Sequence, residues 1–192
     1  MNKIIKSTLF AMAVMPCAAQ AQSLKDLFLQ MPTEVCPALN EYNRLEIVDN
    51  QKNGKEMRTQ NVFQTTSIMQ SLTDDYAVLT VTGNSEKVMR LLTKTDGTKI
   101  IMMINTVFCD GTPDASVSFY SIDWQPLDAT LYIAEPTSDD FRKIILNPDD
   151  NTLTITTSNP LALQTNGSDR PAELTFVSQA LQWNGTSFLP NP

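Results

Sequence analysis

Residues 99–108 have the sequence Lys-Ile-Ile-Met-Met-Ile-Asn-Thr-Val-Phe, which is apolar at most positions and rich in β-formers. A strand with one face in water alternates apolar and polar residues, whereas a nearly unbroken apolar run is typical of a strand covered on both faces. The pair Asp96-Gly97 precedes this run and favours a tight hairpin turn. We therefore predict that Lys99–Phe108 forms a central strand of an antiparallel sheet.

Strands are also predicted on both sides of this run. Tyr76–Thr82 and Val88–Leu92 precede it, with the turn signal Gly83-Asn84 between them. Ser116–Ile122 follows it and alternates apolar and polar residues, after a turn at Asp110–Asp114. Neighbouring strands joined by short turns predict an antiparallel meander.

The segment before the meander predicts helical structure. Ser23 is a suitable cap for a short helix over Leu24–Met31, whose apolar residues recur at helical spacing. The segment Pro37–Asn50 is interpreted as a helical turn followed by a strand at Arg44–Asp49. Asn50–Gln60 is polar and is interpreted as a loop.

The C-terminal part predicts a second short helix and further strands. Thr137 or Ser138 is a suitable cap for a helix through about Lys143. Three strands are predicted after it: Thr152–Thr157, Glu173–Trp183 and Thr186–Leu189. A loop at Asn159–Pro171 is predicted between the first and the second. The sequence therefore predicts an α+β domain, mostly antiparallel β-sheet, with one or two short helices packed on it.

A weak internal similarity links two of these strands. Ala115–Phe119, followed by Trp124, resembles the segment 172–176, followed by Trp183, at an offset of 57 residues. Two explanations are open: two degenerate helix-plus-sheet repeats with a boundary near residue 135, or chance similarity between strands.

The first 21 residues have the pattern of a secretory signal peptide. Lys3 and Lys6 precede the apolar segment Thr8–Met15, and Ala19-Gln20-Ala21 is a small-x-small cleavage site. Cys17 raises a lipoprotein alternative, but a proline precedes this cysteine where a small residue is required. We predict cleavage after residue 21 and a single exported domain over residues 22–192, without a transmembrane segment.

Composition excludes several classes of function. The 192 residues include 14 Lys and Arg against 21 Asp and Glu, a net charge of −7, which does not suit a nucleic-acid partner. The sequence contains no histidine, which excludes Ser-His-Asp and Cys-His hydrolases and His-ligated zinc. Gly-rich phosphate loops are also absent from the sequence. We expect no cofactor.

Two cysteines remain after the predicted cleavage, Cys36 and Cys109. In an exported protein such a pair is most simply a disulfide. Two buried free thiols are the alternative, because nothing in the sequence shows that these residues approach each other.

Aromatic residues define the predicted ligand-binding site. Tyr120, Trp124 and Tyr132, with Trp183 from the second segment, suggest a flat platform for a sugar ring, and Asp123 adjoins it. Packing in the core or at its rim is the alternative role of such residues.

Carboxylates suggest two further kinds of site. A pair drawn from Asp123, Glu135 and Glu173 would give a glycan hydrolase that needs no histidine. The acids Asp110, Asp114 and Asp149-Asp150 suggest calcium, but no segment has the required Asp-x-Asp-x-Asp-Gly spacing, so we interpret them as turn residues and predict no metal.

Three segments together resemble a known family. They are Pro37-Ala-Leu-Asn-Glu-Tyr-Asn-Arg-Leu, Ser71-Leu-Thr-Asp-Asp-Tyr, and residues 106–127, which include Cys-Asp-Gly-Thr-Pro-Asp and Ser-Ile-Asp-Trp. They resemble a family of small exported proteins of unknown function from Bacteroides-like gut bacteria. The resemblance implies a Gram-negative envelope setting, in the periplasm or at the cell surface, and no catalytic residues.

These observations favour an exported, non-catalytic binding or protein-interaction module of the bacterial cell envelope, acting through an exposed sheet face or edge. Its partner would be an unknown protein or glycan of the envelope. The alternatives are a carboxylate-dependent glycan hydrolase and an accessory of envelope assembly.

Overall fold

The protein consists of two short α-helices and two antiparallel β-sheets, as an α+β fold that is mostly β. The structure is a computed structural model and describes residues 22–134, 142–158 and 176–190. The helices are α1 (Leu24–Gln30) and α2 (Glu41–Lys52). The strands are β1 (Arg58–Gln60), β2 (Thr66–Leu72), β3 (Tyr76–Thr82), β4 (Ser85–Thr93), β5 (Lys99–Cys109), β6 (Thr112–Ser121), β7 (Pro126–Leu127), β8 (Arg142–Leu146), β9 (Thr152–Ser158), β10 (Phe176–Trp183) and β11 (Phe188–Pro190).

Strand β5 is covered on both faces, which confirms the prediction for the apolar run. Its five consecutive residues Ile100–Ile104 are all buried. Ile101 and Met103 face a helix-side core, which is built with the buried residues of α1 and α2. Ile100, Met102 and Ile104 face an inter-sheet core, which is shared with the second sheet. The unbroken apolar pattern is thus the consequence of a three-layer arrangement.

The first sheet, sheet A, contains β1 to β7 in chain order, so the predicted meander is confirmed. The turn between β5 and β6 places Asp110 and Gly111 at φ of 49° and 81°. Positive φ at both central residues is the geometry of a tight hairpin turn that matches strand twist. The predicted loop at Asn50–Gln60 is partly wrong, because it includes the end of α2 and the edge strand β1.

Helix α1 forms where it is predicted, with Ser23 and Asp26 in a reciprocal capping box. The predicted strand at Arg44–Asp49 is wrong, since these residues lie inside α2. Asn40 and Asn43 cap the start of α2 reciprocally, and four of its residues are buried at helical spacing: Asn43, Arg44, Ile47 and Val48. None of the helices in the described ranges has the length and apolar character that crossing a bilayer requires.

The second sheet, sheet B, has the strand order β11-β10-β9-β8. The predicted helix through Lys143 is wrong at its end, because Arg142 and Lys143 belong to β8; its earlier residues lie outside the described ranges. In β8, Ile144 and Leu146 are buried while Lys143 and Ile145 are exposed, which is the period of a strand. The predicted strands near the C-terminus correspond to β9, β10 and β11, and the predicted loop at 159–171 lies outside the described ranges.

Sheet B is attached to sheet A at the turn between β10 and β11. Thr95, in the β4–β5 hairpin, donates its backbone N–H to the carbonyl of Gly185 at 2.9 Å. Gly185 has a φ of 90°, and a Cβ at this position would lie 2.7 Å from the Thr95 Cγ2 atom. Only glycine therefore fits this contact without movement of the hairpin.

The proposed repeat boundary near residue 135 coincides with the passage from sheet A to sheet B. The described ranges give seven strands in sheet A and four in sheet B. Whether the two parts arose by duplication remains a prediction.

Candidate functional site

The predicted aromatic platform is divided between the two faces of sheet A. Trp124 is only 5% exposed and packs in the helix-side core, where its ring lies 5.6 Å from that of Tyr120. Its indole Nε1 donates to the carbonyl of Leu27 in α1 at 3.0 Å. Trp124 therefore ties α1 to the end of β6, and its polar atom is satisfied within the protein.

Tyr132 and Trp183 lie on the opposite face, against the inter-sheet core. The Tyr132 ring lies 4.8 Å from Phe119 and 6.4 Å from Trp183, and Trp183 lies 5.2 Å from Phe188. The Trp183 indole donates to the carbonyl of Thr93 at 3.0 Å. This row of four rings connects the two sheets. The four residues of the predicted platform, Tyr120, Trp124, Tyr132 and Trp183, therefore do not form one surface. Ligand contact at the Tyr120–Trp124 pair or at the Tyr132–Trp183 pair remains a prediction.

Of the predicted carboxylate set, only Asp123 lies in the described ranges. Asp123 is exposed in the turn after β6, whereas Glu135 and Glu173 lie outside the described ranges. Asp110, Asp114, Asp149 and Asp150 are exposed, and in the part of the chain that the structure describes no three acidic or cysteine side chains form a group suited to a metal ion. Asp150 caps local backbone, because its carboxylate accepts from the Thr152 N–H at 2.8 Å.

The structure has both cysteines as free thiols, which corresponds to the second of the two alternatives for this pair, except that Cys109 is not buried. Cys36 is buried in the helix-side core, whereas Cys109 is exposed at the end of β5. Burial raises the pKa of the Cys36 thiol, an effect that the nearby Lys87 charge opposes. A thiol held neutral in this way is a packing residue rather than a nucleophile.

The most exposed regular segment of sheet B is the first part of β10. Phe176 and Val177 are 67% and 59% exposed, and the next three residues, Ser178 to Ala180, are also exposed. The segment pairs with β9 along its whole length, but β11 pairs only with Leu181–Trp183. Within the described ranges, no strand therefore lies beside Phe176–Ala180 on the β11 side.

The hydrogen bonds of the β10–β11 hairpin show which backbone groups face that side. Asn184 donates its N–H to Ser187 at 3.2 Å, whereas Phe188 donates its N–H away from β10, to Tyr132 at 2.7 Å. In an antiparallel ladder the hydrogen-bonded pairs alternate, so Gln182 also faces β11.

Backbone groups on one side of a strand recur at every second residue. The N–H and C=O groups of Ala180, Ser178 and Phe176 therefore point to the same side as those of Gln182, the β11 side. We call these six backbone groups the free edge. The described part of the chain contains no partner for them.

A groove of about 290 Å³ lies beside the free edge, on the face of β10 that is turned toward sheet A. We call it the inner groove. Its lining is mostly apolar: Leu131, Ile133, Leu181, Phe188, Leu189 and Pro190, with Gln179 at the free edge. Leu131 and Leu189 are 66% and 51% exposed. A second groove of about 380 Å³ is lined by the β5–β6 turn, Lys143, Thr156 and Phe176. Apolar surface thus borders the free edge on the inner side and at Phe176.

The sequence analysis did not identify this edge, although the sequence carries a signal for it. The predicted strand ending at Trp183 is much longer than the predicted return strand after Asn184-Gly185. In a two-strand hairpin, a return strand that is too short leaves the far end of the longer strand without a partner on that side.

Comparison with known proteins assigns a family but no activity. The family described as "Protein of unknown function (DUF3256)" matches residues 17–152, so the chain belongs to this family. The solved structure of a domain of an uncharacterized protein from Porphyromonas gingivalis W83 is similar, with a TM-score of 0.69 and 18% identity over 88% of this chain and 97% of that chain. At this identity the similarity shows the fold alone. No curated protein matches the sequence.

Proposed function

We propose that this protein, a member of a family without an assigned activity, is an exported, non-catalytic interaction module of a Gram-negative cell envelope. It binds a partner protein by strand addition at the free edge. The observation that carries the proposal is the row of unpaired backbone groups in Phe176–Ala180, bordered by exposed apolar side chains.

Export is supported by the first 21 residues, with their two lysines, apolar segment and Ala19-Gln20-Ala21 site. Cleavage before Gln22 leaves the capping box of α1 intact, because that box begins at Ser23. We expect mass spectrometry of the protein from the envelope fraction to find an N-terminus at Gln22. Protein that retains Met1 in the cytoplasm would contradict export.

Binding at the free edge is supported by the chemistry of strand edges. Exposed N–H and C=O groups in a row are a template for another extended chain, and natural proteins usually protect such edges with charges, prolines or covering elements. The segment Phe176–Ala180 contains neither a charge nor a proline. Main-chain hydrogen bonds would give affinity, and the inner groove would accept alternate side chains of the added strand.

The absence of histidine supports a non-catalytic role, because it removes the usual proton-transfer group at neutral pH. The alternative, a glycan hydrolase, depends on a pair drawn from Asp123, Glu135 and Glu173, of which only Asp123 lies in the described ranges. That alternative would require turnover of a glycan by the purified protein and its loss on a single Asp or Glu substitution. Binding without turnover favours the interaction module.

Photo-crosslinking in living cells of the source bacterium tests the binding surface. A photoreactive phenylalanine analogue replaces Phe176, and in a matched control it replaces Tyr42, an aromatic residue on α2 that is 81% exposed. We expect a discrete crosslinked protein from position 176 and not from position 42.

The crosslink is also expected to disappear when Ser178→Pro is added, because proline removes one N–H of the free edge. Equal crosslinking from positions 176 and 42, or a crosslink that Ser178→Pro leaves unchanged, would contradict the proposed surface. The result does not depend on which partner is captured.

A further inference from the structure

We infer that the free edge binds the free edge of a second copy of this chain, so that two β10 strands join their sheets across a two-fold axis at Ser178. This inference rests on the proposed function, since it names the partner at the same surface. It follows from the direction of the backbone groups, from the side chains that would meet, and from the absence of charge in the segment.

The backbone groups are arranged symmetrically about Ser178. The outward-pointing residues are Phe176, Ser178 and Ala180, as established by the β10–β11 hairpin. In an antiparallel pair centred on Ser178, Ser178 faces Ser178 of the second copy, and Phe176 faces its Ala180. All three positions are hydrogen-bonding positions, so every N–H and C=O of the free edge finds a partner.

The side chains fit the same register. On the outer face of sheet B, the large Phe176 ring would lie against the small Ala180 of the second copy, twice by symmetry. On the inner face, Val177 of the second copy would lie beside Gln179, at the mouth of the inner groove. The segment therefore supplies an apolar side chain for the groove that it borders, and it would bury the 59% exposed Val177.

The absence of charge favours a second copy over a charged strand. Antiparallel pairing of identical strands about a central residue sets that residue against itself, so a charge at the centre would meet a like charge. The five residues Phe176–Ala180 are uncharged in a chain of net charge −7. Because each copy contributes only five paired residues, we expect a weak dimer with a Kd on the order of 10–100 µM.

Sedimentation of charge variants at the axis tests the inference. We expect the purified protein to dimerise with rising concentration, and both Ser178→Asp and Ser178→Lys to weaken the dimer at least about tenfold, because like charges then meet at the axis. An equal mixture of the two variants is expected to recover the dimer, because Asp then faces Lys. Ile145→Lys, at an exposed apolar position on β8, is the matched control and is expected to dimerise normally.

A peptide with the sequence of residues 175–182 provides a second measurement that does not depend on variant folding. We expect it to dissociate the dimer, and to lose this effect when the amide of its Ser178 position is N-methylated. N-methylation at the Gln179 position, whose amide points away from the free edge, should leave the effect unchanged.

A protein that remains monomeric up to about 1 mM, single variants that dimerise normally, or a mixture that stays monomeric would overturn the two-fold pairing. The proposed function is tested by a different result. It requires a crosslink from position 176 that Ser178→Pro abolishes, whatever the mass of the crosslinked species. A crosslinked species of twice the chain mass supports a second copy, whereas a different mass retains the function and overturns this inference.

Discussion

The edge strand β1 of sheet A and the free edge of β10 in sheet B differ in whether other parts of the protein cover them. At the edge of sheet A, helix α2 covers β1: Asn43 Nδ2 donates to the Gln60 carbonyl at 2.9 Å, and Asn50 Nδ2 donates to the Arg58 carbonyl at 3.0 Å. Arg58 also forms an ion pair with Glu56 at 3.0 Å. At β10 in sheet B, the free edge carries no charged side chain, and no side-chain amide from the described ranges covers it.

Within the described ranges, α2 covers the edge of β1, whereas the free edge of β10 has no such cover. Side-chain amides in a flanking helix satisfy the outward carbonyls of β1, and charged side chains keep other strands away. An uncovered, uncharged edge is a template for another strand. The comparison therefore supports the proposal that the free edge of β10 binds a strand, whereas the edge of β1 is covered within the fold.

The largest expected effect comes from proline substitutions in neighbouring positions of β10. Val177 donates its N–H to β9, so Val177→Pro removes a ladder hydrogen bond and is expected to lower the free energy of unfolding by about 3 kcal/mol. Ser178 points its N–H to the free edge, so Ser178→Pro is expected to cost less than about 1 kcal/mol. Urea denaturation measures both. Equal losses would mean that the assigned direction of the β10 backbone groups is wrong.

The next effect tests the protection of β1. Asn43→Ala removes the donor to Gln60 and Thr59 and the acceptor for the Asn40 N–H; the bond to Thr59 is buried and the other two are partly buried. We expect the free energy of unfolding to fall by about 2–3 kcal/mol. Asn50→Ala removes the exposed bond to Arg58 and is expected to cost less than about 1 kcal/mol. If Asn43→Ala cost no more than Asn50→Ala, the covered edge would not depend on this amide.

A smaller effect tests what fixes the turn between β10 and β11. Gly185→Ala introduces a Cβ at a φ of 90°, 2.7 Å from Thr95 Cγ2, and is expected to cost about 2 kcal/mol. Thr95→Ser removes Cγ2 and should recover about half of that loss in the double variant, because the backbone strain and the 3.3 Å contact with the Thr95 backbone N remain. Thermal unfolding of the single and double variants measures the difference. No recovery in the double variant would mean that the contact with Thr95 is not the cause.

The sequence predicted those parts of sheet A in which a residue pattern is compatible with only one local structure. The continuous apolar run of β5 requires cover on both faces, and Asp96-Gly97 favours a tight turn, so the central strand and its hairpin were predictable. Helix α2 was not, because Leu45-Glu46-Ile47-Val48 is rich in β-formers. Its last turns also make contacts that are distant in sequence, such as the bond from Gln51 Nε2 to the Leu72 carbonyl at 2.8 Å.

The candidate site was less predictable because it depends on how strands pair. Trp124 and Trp183 have the same side chain in similar segments, but the turn after β6 places Trp124 at a φ of 60° and directs it to the opposite face of sheet A. Whether Phe176 lies beside another strand depends on which part of β10 pairs with β11, and not on Phe176 itself. Neither the position of Trp124 nor the unpaired side of Phe176 can be predicted from the type of side chain alone.

Amide hydrogen exchange along β10, followed by NMR at two protein concentrations, tests the central claim most directly. At low concentration we expect the amides of Phe176, Ser178 and Ala180 to exchange quickly and those of Val177 and Gln179 to exchange slowly. At high concentration the three fast amides are expected to become protected. Uniform protection of all five amides at low concentration, or three fast amides that stay fast at high concentration, would contradict the account of a free edge that pairs with its own copy.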